Sequence, residues 1–389
     1  DVKRLGGLAG IFAIVSIAGV ILLPSAIQRF VVNPSELNKE REYIAQNLEL
    51  TRDAYGLATV DTRDISGQAT LTGGDLLAQP ETLANVRLWD YRIIRTTFQQ
   101  LQSFVPYYAF VDVDVDRYGT PGGMEQVLIS AREIDQSGLP ATSMTWTNRR
   151  LVYTHGYGAV VAPVSQVSGQ GLPELTLSGI PPEGSDTYAI TRPEIYCGEG
   201  NLDWVILRTD YAEFDGLGNG DTSNYEGTPA GGIPVSNLFK RMILASYLGD
   251  QNVALSGALT GESILVINRE IANRVETLAP FLTLDSDPYL VVADGKLYWV
   301  IDAYTTSANY PGATRLDGVN YIRNSVKVVV DAYTGEVTFY RTATVDPIAD
   351  AWNATYGNFT LPIAEAPESI AIHFRYPEHL FEVQSDIYA

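Results

Sequence analysis

The thirteen residues YLVVADGKLYWVI, positions 289–301, consist of two apolar, β-branched and aromatic runs joined by Asp294-Gly295. A two-residue hairpin turn places both turn residues at positive φ, a conformation that Asp and Gly adopt at least cost. The stretch therefore predicts an antiparallel hairpin. Downstream, residues 326–330 and 337–340 flank Thr334-Gly335 in the same manner, which predicts a second strand pair. Upstream, residues 264–282 carry Ile and Val at helical core spacing, and a shorter helix is expected around 239–248. A helix packed on an antiparallel sheet of about four strands is an α+β arrangement, the fold class expected for the chain.

Towards the N-terminus, Asn33-Pro34-Ser35-Glu36 reads as a helix start with Asn33 as the cap. Leu37, Ile44, Leu48 and Tyr55 continue that helix until Gly56 ends it. A second helix is expected from about 79 to 104, carrying Leu83, Val86, Trp89, Ile93 and Leu101 and stopping ahead of Pro106. From there to Tyr211 the periodicity falls to two, and short strands separated by Gly and Pro turns are predicted. Residues 216–232 are rich in Gly, Asn, Asp and Thr. They lack the Lys-Ser/Thr of a phosphate loop and the repeats of a calcium coil, so they read as a surface loop or seam. The expected organisation is a transmembrane helix over 1–30, a first α+β region over 31–215, the Gly-rich seam over 216–235 and a second α+β region over 236–389.

Residues 5–27 form an apolar run of 23 residues without a charged side chain. At about 1.5 Å per residue it reaches roughly 35 Å, enough to cross a hydrocarbon layer of about 30 Å. It is longer than the roughly 7–15 residues of a signal-peptide core, and no small-x-small cleavage site follows it. The chain opens on Asp1, so it is expected to be a piece of a longer protein with further membrane helices. Gly6 and Gly10 form a small-xxx-small pair that suits close approach of another helix. Lys3 and Arg4 precede the span and Arg29 alone follows closely, which by the positive-inside rule puts the N-terminal side in the cytoplasm and the bulk outside. The net charge of -20, from 46 acidic and 26 basic residues, argues against nucleic acid and anionic lipid surfaces as partners. Cys197 is the single cysteine, so no internal disulfide forms; it reads as a buried strand residue without the basic partner a reactive thiol needs.

Asp112-Val113-Asp114-Val115-Asp116-Arg117-Tyr118-Gly119 is the strongest chemical candidate. Strand alternation would set Asp112, Asp114 and Asp116 on one face in steps of roughly 7 Å. Such a row could hold Ca²⁺ with carbonyls from the loop at Gly122 and Gly123. The alternative is a solvated strand face, with Val113 and Val115 packed inward and Arg117 neutralising a neighbour. An EF-hand is excluded, because Arg117 stands at its required Gly and Gly123 at its closing Glu. His155, in Tyr153-Thr154-His155-Gly156-Tyr157-Gly158, is either a catalytic proton-transfer group in a glycine-lined turn or a hydrogen-bonded structural histidine. His373, His379 and Glu382 have zinc-ligating chemistry, but their spacing fits no zinc motif and Pro377 interrupts the helix that would align them. Asn353-Ala354-Thr355 and Asn358-Phe359-Thr360 match the glycosylation acceptor pattern. No motif calls for a nucleotide or redox cofactor.

A run of local motifs is similar to uncharacterised protein family 0182: Glu40-Arg41-Glu42-Tyr43-Ile44, Thr51-Arg52-Asp53-Ala54-Tyr55-Gly56-Leu57 and Asn85-Val86-Arg87-Leu88-Trp89-Asp90. In the same order come Thr154-His155-Gly156-Tyr157-Gly158, Gly171-Leu172-Pro173-Glu174, Asp287-Pro288-Tyr289, Asn320-Tyr321-Ile322-Arg323-Asn324-Ser325 and Arg375-Tyr376-Pro377-Glu378. The resemblance covers nearly the whole chain and implies a multi-pass membrane protein with a large extracytoplasmic region, of which this chain holds one span and most of the exported part. It implies no activity. The hairpin at 331–337 also resembles small exported domains of the PepSY type, a likeness that favours interaction over catalysis. The resulting expectation is a membrane-anchored cell-envelope protein that binds or scaffolds a partner outside the cytoplasm; the alternative is a divalent-cation-dependent envelope hydrolase. Expected partners are the lipid bilayer, other transmembrane helices and an envelope protein or polymer.

Overall fold

The computed structural model describes residues 2–64, 67, 70–216 and 222–388; positions 217–221 of the Gly-rich stretch lie outside the described residues. The chain divides into two compact units, one built from Asp1–Arg63, Thr306–Ile322 and Val383–Ala389, the other from Asp64–Thr305 and Arg323–Glu382.

In the first unit an exposed helix, Gly6–Lys39, is long and apolar enough to span a membrane. It runs on through π-type turns at Ala18–Leu22 and Gln28–Val32 and a 3₁₀ turn at Asn33–Ser35. The expected cap at Asn33 is therefore not formed: Asn33 has helical φ, and Pro34 sits where a new turn begins, the position at which a missing N–H costs least. Glu40 breaks the rod and the helix Arg41–Ala54 follows, ending at Gly56 with φ 73°. This helix organises the 306–322 segment. Asn47 Nδ2 donates to the Gly312 carbonyl at 2.6 Å, Thr314 N donates to Thr51 Oγ1 at 3.0 Å, and Tyr55 OH donates to the Val319 carbonyl at 2.9 Å.

The second unit contains two six-stranded, mainly antiparallel sheets. In one, Asp114–Thr120 pairs with Gly123–Ile134, which also pairs with Tyr108–Phe110 and Ala159–Pro163. In the other, Tyr289–Ala293 pairs with Lys296–Ser307 in the register Ala293↔Lys296, the two-residue hairpin expected from Asp294-Gly295. Both turn residues take positive φ, 51° and 76°. Tyr321–Asp331 pairs with Val337–Arg341 around Gly335, whose φ is 70°.

The inner faces of both sheets share one core. Val127, Ile129 and Val161 from the first meet Leu290, Trp299, Ile301 and Val328 from the second, and the helix Ile271–Leu278 adds Ile271 and Val275. Among the described residues Tyr289–Ala293 hydrogen-bonds a strand on one side only, so its other edge needs partners. The first sheet supplies them through side chains: Leu290 N donates to Asp114 Oδ2 and Val292 N to Tyr118 OH, both at 2.9 Å.

Two expected helices are corrected. Ile264–Val266 is a strand, paired with Val205–Leu207 and Ile233–Pro234, and the helix begins only at Ile271. Asn268 turns the chain at φ 50°, and Arg269 is buried with its guanidinium on the carbonyls of Tyr196, Asp203 and Thr154. A short β-branched run reads the same in either structure, and only this bend separates them. The helix expected over 79–104 is two, Pro80–Ala84 and Tyr91–Gln102. Asn85 is drawn out to pair with the first sheet, accepting from Gln126 N at 2.7 Å and donating to the Met124 carbonyl at 2.9 Å, and Asp90 caps the new start through Arg92 N at 3.0 Å.

Asp346 joins the second sheet to the helix Pro347–Thr355. Fully buried, it accepts from Thr305 and Ser325 hydroxyls on two neighbouring strands and from Ile348 N at 3.0 Å as the helix cap. Asp346→Ala removes the cap and the acceptor shared by two buried hydroxyls, which are left only each other at 3.3 Å, so a loss of about 2–4 kcal/mol is expected in denaturant unfolding.

Candidate functional site

The acidic strand is covered on both faces: Val113 packs inward as expected, but the aspartates of the strand are buried as well and form no solvated face. Asp114 and Asp116 are each 4% exposed and point inward with Tyr118, while Val113 is buried and Val115 half-buried against a second core cluster. Asp112 precedes the strand, is exposed and turns back to accept from Val113 N at 2.7 Å, so the three carboxylates do not share a face. Asp116 Oδ1 accepts from Arg117 N at 2.7 Å, and His373 Nδ1 lies 2.7 Å from Asp116 Oδ2, at ion-pair distance but off the hydrogen-bond direction. His379 is engaged differently, its ring packing on Tyr304. Among the described residues no group of three His, Cys, Asp or Glu side chains is placed to hold a metal ion.

A cavity of about 340 Å³ opens beside this strand, with Asp114, Asp287, Glu378, Arg87 and Arg375 in its lining. Arg375 donates to the Val115 carbonyl at 2.9 Å and to Asp287 Oδ2 at 3.0 Å, and its guanidinium stacks 4.1 Å over the Tyr289 ring. Burial pushes the Asp114 carboxyl well above its usual range, and burial also raises Asp287 to about 6 against the pull of Arg375. Sequence reasoning found Asp114 but not Asp287 or Arg375, because residues so far apart in the chain carry no shared pattern.

His155 is 1% exposed and held from both nitrogens. Thr154 Oγ1 donates to Glu213 Oε2, so the 2.9 Å contact between Thr154 Oγ1 and His155 Nδ1 is donated by the ring. Nε2 lies 2.7 Å from Asp215 Oδ1. Both nitrogens donating makes the ring an imidazolium. Glu213 also accepts from Tyr196 OH and Tyr225 N, both at 2.9 Å, and Ser223 donates to Asp215 at 3.0 Å. Burial alone would lower the imidazole pKa, but hydrogen bonds to Asp215 and Glu213 override it and raise it to about 9. The ring ties the Gly156–Tyr157 segment to the Glu213–Phe214 strand, and neither nitrogen is open to a substrate. Cys197 is buried, burial raises its thiol pKa, and its carbonyl receives Trp299 Nε1 at 3.0 Å.

A larger cleft of about 900 Å³ lies elsewhere in the same unit, lined by Gln136, Arg149, Asn201, Asn268, Glu270 and Tyr247 among others. No motif announced it, since its walls come from five separate stretches of chain.

Because the folded pKa of His155 lies above the ordinary 6.5, its contribution to stability is complete below pH 6.5 and fades as pH rises through about 9. Wild-type protein is expected to lose on the order of 3 kcal/mol across that window in urea titrations, and His155→Gln to lack that loss.

The chain matches the model of the uncharacterised protein family UPF0182 over residues 2–389. It is 42% identical over 383 residues to a UPF0182 protein of Pelotomaculum thermopropionicum, covering 98% of this chain and 42% of that protein. A UPF0182 protein of Methanospirillum hungatei is 42% identical over 394 residues, covering 98% and 43%, and one of Cupriavidus necator is 43% identical over 370 residues, covering 94% and 40%. The chain thus spans about two fifths of the length of these curated relatives. No solved structure matches it. With a full-length family match and relatives above two fifths identity, the chain belongs to the uncharacterised protein family UPF0182.

Proposed function

We propose that this chain is a membrane-anchored cell-envelope protein whose bulk lies outside the cytoplasm and holds a partner protein there. The anchor is the exposed apolar helix, and the excess of Lys3 and Arg4 over Arg29 supports the orientation. The observation that carries the binding role is the helix Leu238–Leu248, which is apolar on both sides. Leu244 and Leu248 pack inward with Val253 and Leu259. Leu238, Phe239, Met242, Ile243 and Tyr247 point outward and are each more than half exposed. A helix that carries a second, outward apolar face is normally covered there.

Beside this ridge runs a groove of about 500 Å³ floored by Ala245, Gly249 and Ala254 and edged by Met242 and Leu255. A ridge with a small-residue groove alongside accepts the apolar stripe of another helix, with Met242 adapting to its shape. The net charge of -20 disfavours seating this face on an anionic lipid surface, so the occupant proposed is an amphipathic helix of a second envelope protein. His155 with its two carboxylates is occupied in holding strands together.

A photo-crosslinking residue at Met242, introduced into the full chain in native membranes, should give a discrete adduct with one other protein. That protein, once purified, should bind the wild-type chain and lose about tenfold or more in affinity for Ile243→Glu, whose melting temperature stays unchanged because the side chain is exposed. Adducts only with lipid, or only with a second copy of the chain, would overturn the reading.

A further inference from the structure

A lysine is almost never fully buried, and among the described residues Lys327 is the only one that is, at 5% exposed. Its ammonium, on the strand Tyr321–Asp331, contacts the carboxylate of Asp302, which is 3% exposed on the neighbouring strand Lys296–Ser307. Two residues along each strand, Val300 and Val329 belong to a buried apolar cluster with Tyr289 and Ile370, so apolar side chains wall the pair on one side. A third carboxylate stands on the same face. Just past the Leu284↔Ala303 pair, Asp285 N donates to the Asp302 carbonyl at 2.8 Å, and the Asp285 carboxylate accepts from Tyr304 OH, two residues beyond Asp302. Asn324 Nδ2 donates to Asp302 Oδ1 at 2.9 Å.

We propose that Lys327 and Asp302 condense to an isopeptide bond, a covalent cross-link between these two strands. The Lys327 ammonium first gives a proton to the Asp302 carboxylate it touches. The lone pair freed on Nζ then attacks Asp302 Cγ, the C–OH bond breaks and one water leaves, while Asp285 takes the proton shed by the nitrogen and hands it to the departing oxygen. Nothing is oxidised or reduced, and no co-reactant is needed. Asn324 donates to an oxygen that gains charge in the tetrahedral intermediate. Held in contact, amine and acid react as parts of one molecule, for which effective concentrations reach about 10⁵–10⁸ M when the groups are aligned. Burial raises the Asp302 carboxyl and lowers the Lys327 ammonium, towards the neutral acid and neutral amine that condense. A buried ion pair is costly to desolvate, whereas the amide that replaces it carries no net charge. Asn324 is the competing electrophile, but it lies three residues from Lys327 on the same strand, and a bond there would link that strand only to itself.

Intact-mass spectrometry of the full chain, purified in detergent and shown to melt cooperatively, tests the proposal. The protein should be lighter than its sequence by one water, about 18 Da. Trypsin should then fail to cut after Lys327 and release a branched peptide joining residues 297–315 to residues 324–341. Lys327→Met should restore the sequence mass. If that variant fails to fold, Asp285→Asn, which keeps an acceptor for Tyr304 OH, should form the branched peptide about tenfold or more slowly after refolding. A folded wild-type chain at the full sequence mass overturns the proposal and leaves an ordinary buried ion pair. So does a loss of ammonia, about 17 Da, which places the bond at Asn324, or a loss of water without the branched peptide.

Discussion

The second unit depends on satisfying the outer edge of Tyr289–Ala293. That strand lies in the middle of the shared core but, among the described residues, pairs with a neighbour on one side only, so the N–H groups of Leu290 and Val292 would otherwise face apolar surroundings. A buried unpaired backbone donor costs about 1–3 kcal/mol, enough to matter against a net stability of this order of magnitude. Asp114 and Tyr118 reach across from the other sheet and accept both. This fixes which face of the Asp114–Thr120 strand turns inward, and therefore fixes the register of its partner Gly123–Ile134 and the seating of one sheet on the other.

Having turned acidic side chains inward, the fold surrounds them with compensating groups. His373 stands against Asp116, Arg375 against Asp287, and Lys327 against Asp302, while the Lys327 ammonium also donates to the Arg375 carbonyl. Residues 372–375 are thereby strapped across the sheets, because Arg117 holds two of their carbonyls from the acidic strand itself. The His155 cluster follows the same logic in another part of the unit. With a single cysteine in the chain, buried ion pairs and side-chain-to-backbone bonds tie these strands together without an internal disulfide.

Local signals were legible wherever neighbouring residues decide the backbone. Asp294-Gly295 specified a hairpin with its register, and Gly249 at φ 67° ends the helix whose extent its apolar spacing foretold. Failures occurred where a distant group intervened. The rod through Asn33-Pro34, the break at Asn85 and the bend at Asn268 each oppose the reading of a local window, and two of them follow from bonds to strands or carbonyls far away in sequence. The acidic strand is the sharpest case. Alternation correctly put Asp114 and Asp116 on one face, but a period of two cannot say that both faces are covered.

By itself the sequence determined an N-terminal helix long and apolar enough to span a membrane, the α+β class, the hairpin at Asp294-Gly295 and the kinship with a family, since each rests on composition or on spacing between residues close in the chain. Tertiary structure alone decided that the aspartates face inward, that His155 is a charged strut and that Asp114, Asp287 and Arg375 share one cavity. The physical reason is that burial and pairing are properties of space. A carboxylate's worth depends on the water removed from it and on the donor brought to it, and both arrive from parts of the chain that no local pattern connects.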